Sequence, residues 1–169
     1  LIALLNRRID LAQEVIDEDE MIDRKEVQIE EECLKVLALH QPVATDLRFI
    51  IAVIKVNNDL ERIGDLAVNI AERATYLARN DPLLISVDFP EMADAVSTML
   101  HRSLDALAKA DTVLARKVLA MDDAVDAANR TVFVRLQELM YKNPDSIKRA
   151  VHLMSVSRHL ERVGDLATN

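Results

Sequence analysis

Apolar residues recur every three or four positions along most of the chain, the spacing of an amphipathic α-helix. Prolines and capping residues interrupt this spacing and divide the chain into long segments. We predict the end of a helix at 1–7, helices at about 9–40, 43–79, 90–109 and 112–142, and a last helix that begins near residue 146. The polar, proline-containing stretch 80–89 is predicted to be a linker. No segment alternates with period two, so we predict no strand.

A ten-residue motif occurs twice in the chain. Leu60–Asn69 reads LERIGDLAVN, and Leu160–Asn169 reads LERVGDLATN, with eight identical positions. The helices that precede the two motifs also match each other, at an offset of 103 residues. Such internal similarity indicates two copies of one structural unit. Because short turns between long helices make neighbours antiparallel, we predict two tandem helical bundles, 1–83 and 84–169, each with three helices when the truncated first helix is counted.

Composition and charge argue against some classes of partner and of cellular role. The formal net charge of −8 argues against nucleic acid as a partner, because neutralising phosphates requires a basic face, and it suits metal cations or basic protein surfaces instead. The single cysteine, Cys33, lies in an apolar stripe and is predicted to be a core residue. The longest apolar run, Phe49–Ile54, is too short to span a bilayer, and no signal peptide is recognisable. The chain starts and stops inside predicted helices, so we interpret it as a fragment.

The predicted helix that carries the first motif has two different faces. Its core face is an apolar stripe that extends from Phe49 to Ala74. The opposite face is first apolar, at Leu47, Ile50, Ile51 and Ile54, and then polar, at Asn58, Glu61, Asp65, Asn69 and Glu72. We interpret the apolar part of this second face as the place where the missing first helix packs, with a partner interface as the alternative.

Both motifs place carboxylates on one side of a helix. Glu61 and Asp65 lie four residues apart, so they repel each other, and Gly64 between them lowers helix stability by about 1 kcal/mol relative to Ala. The preceding helix carries acids within its apolar arc, where burial is unfavourable unless they are paired or bind metal. We therefore predict one four-carboxylate metal site per repeat. The predicted ligands are Asp19, Asp23, Glu61 and Asp65 in the first repeat, and Asp122, Asp126, Glu161 and Asp165 in the second.

Oxygen ligands favour hard cations such as Mg²⁺, Mn²⁺, Ca²⁺ or ferric iron. The Glu-x-x-His spacing of di-iron bundles is absent from the sequence, as are a nucleophile–base set and a Gly-rich phosphate loop. The sequence leaves two other interpretations open. One is a metal-free helical scaffold with a solvated acidic face, and the other is an enzyme with a carboxylate-bound metal.

These segments resemble the PhoU family, which regulates phosphate uptake and phosphate-starvation signalling. The resemblance rests on ALHQPVATDLRFIIAVIKVNNDLERIGDLAVNIAERA at 38–74, on SVSRHLERVGDLATN at 155–169, and on VIDEDEMID at 15–23 with VLAMDDAVD at 118–126. It implies an all-α fold of two tandem, pseudo-symmetric three-helix bundles, of which the first helix is truncated here. It also implies E/D-x-x-x-D motifs that hold multinuclear iron or zinc clusters on the bundle surface, at the eight acids named above. Magnesium or manganese remains the alternative.

The resemblance further implies a non-enzymatic cytoplasmic regulator. Such a protein couples the ATPase of a phosphate-specific ABC transporter to a sensor histidine kinase, and it silences the starvation response when phosphate is ample. We expect a homodimer that contacts the membrane only through these partners. The alternatives are a PhoU-like regulatory domain attached to a sodium–phosphate transporter and a carboxylate–metal enzyme.

Overall fold

A computed structural model describes residues 1–83, 85 and 87–169. In these residues the chain forms helices and no strand, as predicted. The helices are α1 (Ile2–Leu5), α2 (Ile9–His40), α3 (Ala44–Ala78), α4 (Phe89–Lys109), α5 (Thr112–Lys142) and α6 (Ile147–Thr168), with a 3₁₀ turn at Pro144–Ser146 before α6. The predicted bounds agree with these to within two residues.

Local chemistry explains where the helices begin and end. Helix α5 begins after Asp111, whose carboxylate accepts hydrogen bonds of 2.9 Å from the backbone N–H groups of Val113 and Leu114. Asp88 caps α4 in the same way, through a bond of 3.2 Å from the N–H of Glu91. Helix α2 ends where Gln41, which precedes a proline, adopts left-handed backbone angles.

The stretch between α3 and α4 agrees with the linker predicted at 80–89, except that α4 already begins at Phe89. Leu84 and Ser86 lie outside the described residues. The predicted boundary between residues 83 and 84 therefore stays a prediction.

Helices α4, α5 and α6 pack against one another as a three-helix bundle, while α2 and α3 form an antiparallel pair. The bundle core contains the fully buried residues Met99, Leu136, Val118, Val125 and Val156. The same core cluster includes Leu66 and Ile70 of α3. Helix α3 thus packs on α2 with one side and on α6 with another, which places the two motifs on adjoining helices.

The α2–α3 pair is less completely covered than the bundle. Short helix α1 packs through Ala3 on a small cluster with Ala12, Ala71 and Ala74, and Cys33 is buried as predicted. The predicted core face of α3, in contrast, is buried only toward its C-terminal end. Phe49, at its start, is 50% exposed and lines a cleft of about 880 Å³ that α4 and α5 also border. Helical periodicity identified the apolar side of α3 correctly, but it carried no information on how much of that side a neighbour covers.

Polar contacts join the C-terminal end of α3 to the rest of the chain. Arg7 donates to the carbonyl oxygens of Ala78, at 3.2 Å, and of Asn80, and Arg149 of α6 donates to that of Asp81 at 3.0 Å. These guanidinium groups satisfy carbonyls at and beyond the end of α3. Within the described residues, no helix is both long enough and apolar enough to cross a membrane.

Candidate metal centres

The antiparallel packing of α2 on α3 brings the first set of predicted acids together. Burial raises the pKa of Asp19, and the charges of Asp23 on the same helix and of Asp65 on α3 raise it further. The pKa of Glu61 is also raised, first by burial and then by four acids, Asp65 and Asp23 foremost. The carboxylates of the two helices are therefore close enough to repel one another.

The first cluster contains a fifth acid that was not among the predicted ligands. Glu26 of α2 is one of the groups that raise the pKa of Glu61. Glu26 lies in the same arc of α2 as the predicted acids, but its counterpart in the second repeat is Asn129, so comparison of the repeats left it out. No ion pair among the described residues neutralises Asp19, Asp23, Glu61 or Asp65.

The second cluster is more compact. Asp122 and Asp126 of α5 and Asp165 of α6 each present a carboxylate oxygen, and these oxygens all lie within 4.8 Å of one another. The pKa of Glu161 is raised by burial and then by Asp165, Asp126 and Asp122, while Arg158 lowers it. Two oxygens bound to one Ca²⁺ ion lie at most about 5 Å apart, because each bond is about 2.3–2.6 Å long. The spacing of these oxygens thus fits a shared cation.

One oxygen of this cluster lacks a partner. Oδ1 of Asp122 is inaccessible to solvent and accepts no hydrogen bond from the protein. Burial raises the pKa of Asp122, and the nearby Asp165 and Asp126 raise it further. A buried carboxylate oxygen without a donor is unfavourable, and a bound cation would satisfy it. The residues present therefore fit a hard cation.

The two clusters differ in how far they are already neutralised. In the second cluster, Arg130 lies 3.3 Å from the carboxylate of Asp126, which precedes it by four residues on α5. Arg158 lowers the pKa of Glu161 through its positive charge. The counterparts of these arginines in the first repeat are Val27 and Asn58, which carry no charge. Asp123 also raises the pKa of Asp122, so the clusters contain similar numbers of acids, and they differ in that the first has no described cationic partner.

The two glycines lie beneath the aspartates at the seams between the helices. Neither has a positive φ, so backbone freedom does not explain them. A Cβ atom built on Gly64 would lie 3.2 Å from Oδ1 of Asp19 and 3.1 Å from Cδ1 of Ile22; on Gly164 it would lie 3.4 Å from Oδ1 of Asp122. At Gly64 the missing side chain lets Asp19 pack directly on the backbone, whereas at Gly164 a Cβ atom would make ordinary contacts. Both glycines are buried.

Of the eight predicted acids, Asp122, Asp126 and Asp165 present oxygens within 4.8 Å of one another. Glu161 and the four acids of the first repeat lie near enough to raise one another's pKa values or those of their neighbours, but the described acids of the first repeat form no group with that close spacing. The role of all eight as metal ligands stays a prediction. Asn69, which lies on the same predicted polar face, donates its amide N–H to the carbonyl oxygen of Asp65 on its own helix at 2.7 Å. Sequence reasoning also missed Asn57, which is only 5% exposed. A polar residue beside an apolar stripe is predicted to be exposed unless its partner on the other helix is known.

Comparison with known proteins identifies similar sequences and folds. A family model described as "PhoU domain" matches residues 1–74 and 89–169. The chain is 44% identical to a phosphate-specific transport system accessory protein PhoU homolog of Aquifex aeolicus, over 95% of this chain and 72% of that protein. It is 39% identical to a protein of the same description from Deinococcus radiodurans, over 98% of this chain and 78% of that one.

Solved structures agree with these sequence matches. The crystal structure of PhoU from Pseudomonas aeruginosa superposes with a TM-score of 0.95 at 38% identity, over 99% of this chain and 81% of that one. The phosphate transport system regulatory protein PhoU from Streptococcus pneumoniae gives a TM-score of 0.87 at 27% identity, over 100% of this chain and 79% of that one.

The two glycines are expected to respond differently to substitution by alanine. Gly164→Ala places its Cβ at ordinary contact distances, so it should raise the free energy of unfolding by about 1 kcal/mol through helix propensity. Gly64→Ala should raise the free energy of unfolding by less, because Ile22 and Asp19 must move to admit the new Cβ atom. Urea unfolding in the presence of a chelator measures both effects. Equal gains at the two positions would contradict the difference in packing.

Removing acids from the first cluster is expected to stabilise the cation-free protein at neutral pH. In Glu61→Gln/Asp65→Asn the like-charge pair is gone, and the free energy of unfolding should rise by about 0.5 kcal/mol. The raised pKa values of Asp19 and Glu61 mean that the folded protein takes up protons at higher pH than the unfolded chain. These groups favour folding at low pH and lose that contribution as the pH rises through the raised values.

The advantage of the double variant should therefore shrink as the pH falls toward the ordinary carboxyl values of 3.8 and 4.5. Urea unfolding at a series of pH values measures it. Glu138→Gln, which removes an exposed acid outside both clusters, is the matched control and should show no such trend. An advantage that is independent of pH would contradict the mutual repulsion of these acids.

Proposed function

The chain belongs to the PhoU family, and we propose that it is a metal-binding regulator of phosphate uptake that catalyses no reaction itself. Its relatives are named as accessory proteins of phosphate-specific transport systems, which supports the connection with phosphate transport. Metal binding is supported by the oxygens of Asp122, Asp126 and Asp165, which all lie within 4.8 Å of one another, and by the presence of aspartates at the equivalent positions 19, 23 and 65 of the first repeat.

We propose that each cluster holds a multinuclear group of iron or zinc, with magnesium or manganese as alternatives. Asp19, Asp23, Glu61 and Asp65 would hold the first group, and Asp122, Asp126, Glu161 and Asp165 the second. An all-oxygen donor set favours ferric iron over zinc, because zinc is more often bound through nitrogen and sulfur. The metal supplies positive charge that offsets the repulsion between the acids. In the proposed protein it therefore ties α2 to α3 and α5 to α6.

The donor chemistry supports a binding role rather than catalysis. Among the described residues, the charged groups that shift the pKa values in the two clusters are acids and one arginine. No histidine or cysteine is among them, so neither cluster has the Ser–His or Cys–His pair of covalent catalysis.

We propose as partners the ATPase of a phosphate-specific ABC transporter and a sensor histidine kinase, with the protein acting as a homodimer in the cytoplasm. In this proposal it silences the phosphate-starvation response when phosphate is ample, and it meets the membrane only through its partners. The relatives described above are named as accessory proteins and not as transporters, which favours a separate regulator over a domain of a sodium–phosphate transporter.

Protein purified without chelator is expected to contain metal that depends on both clusters. Glu61→Ala/Asp65→Ala should lose the metal of the first cluster, Glu161→Ala/Asp165→Ala that of the second, and the combined variant nearly all of it. Elemental analysis for Fe, Zn, Mn and Mg measures the content. The control is Glu138→Ala/Asp145→Ala, two exposed acids outside the clusters. Metal content that no cluster variant changes would exclude the assignment of these ligands.

Regulation can be tested in bacteria that lack their own PhoU-family gene and carry a reporter driven by a phosphate-starvation promoter. Expression of this protein should lower reporter output in phosphate-rich medium, because the proposed function is to silence that response. The variant that lacks both clusters should restore the output. If the unaltered protein accumulates normally and leaves the reporter fully active, the regulatory proposal is wrong.

A further inference from the structure

Two contacts fix the position of α2 along α3. At the first, Oδ1 of Asp19 lies over Gly64, 3.2 Å from the position a Cβ atom would take. At the second, the side-chain amide of Asn57 donates a hydrogen bond of 2.8 Å to the backbone carbonyl oxygen of Glu26. Glu26 follows Asp19 by seven residues, and Asn57 precedes Gly64 by seven. Seven residues are two helical turns in a left-handed packed pair, so both contacts belong to one seam.

The second repeat fixes α5 on α6 at equivalent positions. Oδ1 of Asp122 lies over Gly164, and the hydroxyl of Ser157 donates a hydrogen bond of 2.7 Å to Oδ1 of Asn129. Asn129 follows Asp122 by seven residues, and Ser157 precedes Gly164 by seven. The positions are the same as in the first repeat, although the chemistry has changed from an amide–backbone bond to a bond between side chains.

These polar groups are buried, so they keep their hydrogen bonds in only one axial register of the two helices. Asn57 is 5% exposed and Ser157 is fully buried. A buried polar group that loses its partner is unfavourable, so sliding one helix by a turn, about 5.4 Å, is opposed at this point. The same slide would bring Leu60 or Val68 beneath Asp19 in place of Gly64. Apolar contacts discriminate less, because Ile22 and Ile29 of α2 are each more than one third exposed.

We propose that Asn57 and Ser157 are positioning residues that set the register of the two helix pairs and thereby hold each carboxylate cluster in its binding geometry. A single buried polar residue fixes register in the same way in coiled coils. Asn57 lies four residues before Glu61, and Ser157 four before Glu161. The acids of the two helices converge only while this register is kept. The consequence for cations rests on the function proposed above, whereas the register itself does not.

The experiment measures register and cation affinity separately. Nitroxide labels are attached to cysteines introduced by Glu18→Cys on α2 and Arg48→Cys on α3, both exposed positions, in a Cys33→Ala background. Pulsed electron paramagnetic resonance in chelator should give one narrow distance distribution. Asn57→Leu has similar volume and removes the hydrogen bond. It should broaden that distribution or add a component displaced by about 5 Å, one helical turn.

Cation affinity is then measured by calorimetric titration with Mn²⁺. Asn57→Leu should weaken binding at the first cluster by about tenfold, as loss of a group that orients ligands does, and leave the second cluster unchanged. Ser157→Ala should weaken binding at the second cluster and leave the first cluster unchanged. Labels at Lys117→Cys and Lys148→Cys report the α5–α6 register. Ser157→Ala also provides the test if Asn57→Leu fails to fold. The control is Ile70→Val, a core change on α3 away from the seam contact. It should alter neither the distance distribution nor the affinity for Mn²⁺.

Each result decides one part of the proposal. An Asn57→Leu protein with the parental distance distribution overturns the assignment of Asn57 as a register residue, whether or not cations bind. A changed distribution with unchanged affinity overturns its role in holding the cluster. If the parent protein binds no cation, the proposed function fails, while the distance measurement still decides the register. A loss of affinity in Ile70→Val would show that general destabilisation explains the effect.

Discussion

The structure depends on the close packing of two helix pairs, in each of which an aspartate of one helix lies over a glycine of the other. At Gly64 a Cβ atom would crowd Asp19 and Ile22, whereas at Gly164 it would lie at ordinary contact distance from Asp122. Close approach takes the carboxylates partly out of water, and desolvation is the largest cause of their raised pKa values. The contact that draws the helices together thus also concentrates negative charge at the seam.

Two opposing contributions determine the stability of the helix pairs: packing between the helices and repulsion between their acids. Apolar packing and the buried polar contacts at Asn57 and Ser157 hold the helix pairs in register, while the acids repel one another across the seam. The second repeat relieves part of the repulsion through Arg130 and Arg158. The first repeat has no such group among its described residues. The two clusters are therefore alike in position and different in how far their charge is neutralised.

Sequence reasoning predicted most of the fold because the signals are local. Proline at positions 42 and 90 and the capping side chain of Asp111 mark helix ends through chemistry within a few residues. The repeat predicted the acids, since a pair that survives in both copies at one offset identifies equivalent positions. The exposure of Phe49 was missed because it depends on how far a neighbouring helix covers the stripe.

Asn57 and Glu26 were missed for a related reason. The burial of Asn57 depends on the carbonyl oxygen of Glu26, and backbone atoms of another helix leave no trace in residue patterns. Glu26 was visible in the arc of acids, but the requirement that both repeats agree removed it. Comparing repeats finds what they share, and it discards residues that make one copy different from the other.

The contact between α3 and α6 connects the two clusters. Each of these helices carries the Glu and Asp of its own motif, and the helices pack on each other over a seam in which the ring of Tyr76 stacks on that of His152 at 3.8 Å and 19°. Burial lowers the pKa of His152, and the charge of Arg73 on α3 lowers it further, so the ring favours its neutral form. The helix that carries half of the first cluster therefore packs directly on the helix that carries half of the second.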